Sequence, residues 1–163
     1  MKKFLLVISC LFAVSASAQT DLLKAFDFWV GNWEATWKDA NGNVVKGENV
    51  ITKTCKDNVI LENFSDTTNQ FFGTSISVFS PADSLWHQAW ADNQGGYIDL
   101  VGIIEKDVRI FQTQPKNSGN KVIVRRMIFY NITPSAFEWD WEISKDGGKT
   151  WTLAWHISYV RKA

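Results

Sequence analysis

The sequence predicts an all-β protein, an antiparallel up-and-down barrel of about ten strands behind a short N-terminal helix. Three observations predict it. After residue 18 the chain breaks into short runs that alternate apolar and polar side chains with period two, the spacing of a strand with one buried face. Turns rich in Gly, Asn, Asp and Pro separate these runs, and nearly all are too short for a parallel crossover. No linker, repeat or low-complexity stretch interrupts the series. Regular short strands build barrels or sandwiches, and closure into a barrel removes the exposed edges.

Residues 1–18 read as a secretory signal peptide and not as part of the fold. Lys2 and Lys3 form its charged start, Phe4 to Val14 its apolar region, and Ala16-Ser17-Ala18 its small-residue cleavage site before Gln19. The apolar region is too short to span a bilayer. A lipoprotein reading would cut at Cys10, after a still shorter apolar run. Export to the periplasm or beyond is the expectation, with residues 19–163 as one domain. Without Lys2 and Lys3 its formal charge is about −2. No basic patch points to nucleic acid, and nothing after residue 18 reads as a transmembrane helix. Cys55 alone remains, which excludes an internal disulfide and predicts an inert buried thiol.

Thr20-Asp21 can cap the short helix, with Leu22, Leu23 and Phe26 on one side, placed to plug a barrel end. Gly31 to Trp37 is the first strand, with Trp33, Ala35 and Trp37 on one face. Asn41-Gly42-Asn43 is a hairpin turn. Strands then follow at Val45 to Thr54, Val59 to Phe64, Gln70 to Phe79, Leu85 to Ala91, Tyr97 to Ile104, Val108 to Gln114 and Lys121 to Ile132. Gly73 suggests a bulge or bend, and Pro115 to Asn120 reads as a loop. The last hairpin is the most strongly patterned. Phe137, Trp139, Trp141 and Ile143 share a face on one arm; Trp151, Leu153, Trp155, Ile157 and Tyr159 share a face on the other.

Several stretches together resemble a known family. They are Phe28-Trp29-Val30-Gly31-Asn32-Trp33, Glu62, Gly73-Thr74-Ser75-x-Ser77-x-Phe79-x-Pro81, Trp86-x-Gln88-x-Trp90-x-Asp92, Arg126-Met127 and Ser144-x-Asp146-Gly147-Gly148-Lys149-Thr150-Trp151. The pattern resembles the bacterial domain-of-unknown-function 1579 family, grouped with the lipocalin and fatty-acid-binding superfamily, the calycins. The resemblance covers nearly the whole chain after residue 18. It implies a lipocalin-like barrel and no settled activity. It also implies that Trp33 closes the barrel base against a late arginine, a role that Arg161 fits.

Ser144-x-Asp146-x-Gly148-x-Thr150-Trp151 also matches the Asp-box of sialidase propellers, but one copy cannot make a propeller and reads as a turn device. Trp86, Gln88 and Trp90 form a stripe that takes an amide inward with the aromatics, and a buried amide costs about 1–3 kcal/mol without partners. Asp92 extends that stripe. Glu62 and Arg126 alternate with apolar neighbours and read as an inward pair able to grip a polar head group, with Arg125 as the alternative inward arginine. Ser75 and Ser77 share a face with Phe79 and would line the same space.

His87 and His156 have no ligand spacing for zinc. Some calycin barrels, the nitrobindins, hold haem through a late histidine, but His156 lies opposite the large aromatics and should face solvent. No cofactor and no metal is expected. No nucleophile motif or phosphate loop is present.

The function these features favour is binding of a small, mostly apolar molecule in an aromatic-lined cavity. Trp33, Trp37, Trp86, Trp90, Trp139 and Trp141 would be its walls, with Glu62, Gln88 and Arg126 at its polar end. The alternatives are an enzyme using acid–base residues in that cavity, and a solid-core barrel acting through protein–protein contacts.

Overall fold

A computed structural model describes residues 22–163. The segment 1–18 that reads as a signal peptide and the expected Thr20-Asp21 cap lie outside the described residues. Eleven strands follow a 3-10 turn at Asp27–Trp29: β1 Gly31–Lys38, β2 Val44–Thr54, β3 Val59–Asp66, β4 Phe71–Ser80, β5 Leu85–Asp92, β6 Tyr97–Ile104, β7 Arg109–Gln112, β8 Lys116–Ser118, β9 Lys121–Tyr130, β10 Ala136–Ser144 and β11 Thr152–Arg161. Every ladder is antiparallel, and all of the barrel's neighbours are consecutive in the chain except β7–β9 and the closing pair β11–β1. β9 pairs with β7 and β10, β10 with β11, and β11 with β1, so ten strands close into a barrel. β8 is the extra strand. It lies in the stretch that reads as a loop, and folds back on the start of β9 because that strand extends past its barrel partners.

Alternation sets the inside. Trp33, Ala35 and Trp37 of β1 point in, as do Asn49 and Ile51 of β2, Ile60, Glu62 and Phe64 of β3, Ser75, Ser77 and Phe79 of β4, and Trp86 and Gln88 of β5. One end is solid. Phe26 and Trp29, ahead of β1, are buried in it, and Phe26 stacks on Phe111 with ring centroids 4.4 Å apart. Trp33 Nε1 donates to Trp29 O at 2.8 Å, and Trp86 Nε1 donates to Leu22 O at 2.8 Å. These two bonds tie the N-terminal plug to opposite walls and satisfy two indole donors that burial would otherwise orphan. Arg161 seals the same end, its guanidinium 4.1 Å from the Trp33 ring and bonded to the carbonyls of Val30, Phe28 and Pro134.

Three local expectations change. A bulge lies opposite Trp141, which pairs with Trp155, whereas Glu142 pairs with Leu153. One extra residue on β11 therefore turns Leu153 to the outside, and Trp151 leaves the interior face. Gly73 is not a bulge. It sits in an unbroken ladder, and a Cβ there would overlap the Trp90 indole. Cys55 is exposed, because it opens the Cys55–Asp57 turn at a positive φ of 52° and does not belong to the buried face of β2.

Candidate functional site

Above the solid end the barrel is hollow. The cavity measures about 230 Å³ and is lined by Glu62, Phe64, Phe71, Trp90, Asp92, Ile98, Met127, Trp139, Trp141, Trp155, Ile157 and Tyr159. Its walls are mostly aromatic. Trp139 and Trp141, two apart on β10, present parallel faces, with planes 6° apart and centroids 6.4 Å apart. Trp155 stands edge-on to Trp139 at 5.7 Å and to Trp37 at 5.3 Å. Phe71 and Trp90 meet at 6.3 Å on the opposite wall. Edge-to-face contacts hold these rings in place, so the hollow half keeps its shape by packing among its own walls.

The floor is polar. Glu62 is 7% exposed, with its carboxyl held by Asn49 Nδ2 at 2.8 Å and Ser75 Oγ at 2.6 Å. Gln88 Nε2 continues the chain to Ser75 Oγ at 3.2 Å and Ser77 Oγ at 3.0 Å. Cross-strand register builds this network, since Glu62 lies opposite Ser75 and Ser77 opposite Gln88. Burial raises the Glu62 carboxyl from 4.5 to about 7, against the bonds from Ser75 and Asn49, which lower it. Burial, and then the nearby Glu62 charge, push the Tyr159 phenol far up, so it stays neutral. Asn49 Oδ1 and Gln88 Oε1 are buried here without a hydrogen-bond partner.

At the rim Asp92 differs from Glu62. Burial would raise it, but bonds from Gly96 N, Trp90 Nε1 and Gln94 N together hold its carboxyl below the usual range. Two carboxyl groups thus share one cavity, the inner one titrating near pH 7 and the outer one ionised there.

The structure sorts the sequence-derived candidates by level. Trp90, Trp139, Trp141 and Glu62 line the cavity. Ser75, Ser77 and Gln88 lie inside, supporting Glu62 from below. Trp37 backs the wall through Trp155 and Phe64. Trp33 and Trp86 belong to the solid end, bonded to the N-terminal plug. Arg126 does not enter the barrel. Met127 and Phe129 take the inward positions of β9, so Arg126 turns out, bonds Glu142 at 2.7 Å and lies 3.8 Å from the Trp151 ring. The inward Glu62–Arg126 pair is therefore absent. Arg125 has the inward parity but stands exposed beyond the cavity lining.

Asn49, Phe71, Ile98, Met127 and Tyr159 complete the site without having stood out in the sequence. Of these, Tyr159 carried a signal in its place on the aromatic face of the last strand, and Met127 in its place beside Arg126 in the family resemblance. The histidines lie outside: His87 pairs with Asp83 at 2.8 Å, and His156 bridges Asp140 at 2.6 Å and Glu138 at 3.4 Å. The Ser144–Thr150 segment is a turn, with Asp146 Oδ1 accepting from Lys149 N at 3.0 Å and Thr150 N at 2.9 Å.

The chain matches no family model, and it matches no curated protein. Its fold and its cavity therefore carry the functional argument.

Proposed function

We propose that this is an exported, lipocalin-like barrel that binds a small, mostly apolar molecule in the hollow half of its interior. The observation that carries the reading is the division of the barrel into a solid end and a 230 Å³ aromatic cavity with a polar floor. A barrel needing only a core would extend the packing of Phe26, Trp29 and Trp33 along its whole length. An apolar cavity of about 150 Å³ already accommodates benzene, so this one has room for a ring with a short substituent. Walls of fixed aromatic rings and a few convergent polar groups are the usual make-up of such sites.

The test is native mass spectrometry on residues 19–163 purified from an exporting bacterial host, with titration by phenyl-bearing probes followed through tryptophan emission. Support is a retained small-molecule adduct, or a saturable emission change that Trp141→Ala abolishes and Trp151→Ala, outside the barrel, leaves intact. An adduct-free chain whose emission no probe moves overturns the reading.

A further inference from the structure

The cavity's charge pattern says more about its occupant than its size does. Among the described residues that line it, the ionisable ones are Glu62, Asp92 and Tyr159; no Lys, Arg or His is among them. Arg126, the arginine expected to meet a carboxylate, is on the outer surface and paired with Glu142. An anionic head group would therefore meet two carboxyl groups and no cation. The unpartnered buried atoms around the floor, Asn49 Oδ1 and Gln88 Oε1, are both acceptors. The lining carries no positive charge, and it is walled by indole faces, which attract cations.

We propose, resting on the binding reading above, that the cavity selects a cationic ligand: a protonated amine on a compact apolar body, its ammonium on Glu62 and its body against Trp90, Trp139 and Trp155. The ammonium supplies the charge that the lining lacks. It donates to the carboxyl that Asn49 and Ser75 already orient, and it provides the counter-charge that the barrel interior does not. Glu62 then binds as the carboxylate, its proton leaving to solvent.

That proton gives a second readout. The groups facing Glu62 are Asn49 from β2, Ser75 from β4 and Tyr159 from β11, with Asp92 of β5 at the rim; β6, β9 and β10 contribute Ile98, Met127, Trp139 and Trp141. Tyr159 stays neutral and Asp92 ionised near neutrality, so Glu62 is the cavity group that titrates there. Below about pH 7 a cation must displace the Glu62 proton. Its affinity should then rise roughly tenfold per pH unit up to that point and level off above it.

Three probes with one body separate the possibilities: 2-phenylethylammonium, its neutral isostere propylbenzene, and the anion 3-phenylpropanoate. Each is titrated into wild-type chain and Glu62→Gln at pH 6 and pH 8, with calorimetry and tryptophan emission. The expected result is that the cation binds wild type roughly tenfold or more tighter than propylbenzene at pH 8. The advantage shrinks at pH 6 and vanishes in Glu62→Gln, and the anion binds worst. If propylbenzene binds as well as the cation, the cavity is a binding site but the cation assignment is overturned. If the anion binds best, it is overturned likewise. If none of the three binds, both the assignment and the binding reading fall. The wild-type comparison decides these outcomes even where Glu62→Gln does not fold.

Discussion

Ser75 Oγ donates to Glu62 Oε2 at 2.6 Å across the β3–β4 ladder, inside the barrel and away from any positive charge. This bond orients a carboxyl whose burial keeps it protonated up to about pH 7. The folded chain thus holds a proton that the unfolded chain releases near 4.5. The resulting stabilisation is complete below 4.5 and is lost as pH rises through about 7. For this fully buried group the loss is on the order of 3 kcal/mol. Urea unfolding of wild type against Glu62→Gln, followed from pH 4 to pH 8, should show this slope in wild type and its absence in the variant. Parallel curves would show that Glu62 ionises freely in the folded state.

Arg161 and Trp33 close the base together. Replacing Arg161 by Ala removes a cation over an indole, two bonds to carbonyls of the chain entering β1 and one to Pro134 O ahead of β10. The expected loss is about 2–4 kcal/mol, reduced from the sum of the parts because the guanidinium is partly exposed. Arg161→Lys should recover little, since an ammonium lacks the fork that reaches Val30, Phe28 and Pro134 at once. Denaturant midpoints of the two variants measure this directly.

Gly73 makes room for Trp90. Gly73→Ala should destabilise the fold by about 1–3 kcal/mol through overpacking. The double variant with Trp90→Leu should recover part of that loss, because the clash is with the indole and not with the backbone. A double-mutant cycle on thermal unfolding tests the coupling; additive losses would place the strain elsewhere.

Cys55 is solvent-accessible in a turn. In the native chain from residue 19 it should react with one equivalent of an aromatic disulfide reagent, at a rate that unfolding changes little. Protection in the native state, released by urea, would mean a buried thiol.

Much of the architecture was legible along the chain because period-two alternation is a local property. The stripes at Trp33, Ala35 and Trp37, and at Trp86, Gln88 and Trp90, each announce a strand and its inner face without reference to a partner. The same alternation placed Glu62 and Gln88 inward and His156 outward. It failed where the period broke or where two parities looked equally apolar. The β11 bulge moved Leu153 and Trp151 out of the face that a regular strand would give them. In β9, Val124 and Ile128 flank Arg126 as convincingly as Met127 and Phe129 flank the interior, and strand pairing alone decides between them.

By itself, then, the sequence determined the strands, most of their turns, the closed antiparallel class and an interior rich in tryptophan with a few polar groups. Only the tertiary structure decided how those groups are distributed along the barrel axis. Height in a barrel depends on the stagger between neighbouring strands, which the period of a single strand does not encode. That stagger put Trp33 and Trp86 in the solid end and Trp139, Trp141 and Trp155 in the hollow one. It also left Glu62 between them, with an oriented carboxyl and no cation to meet it.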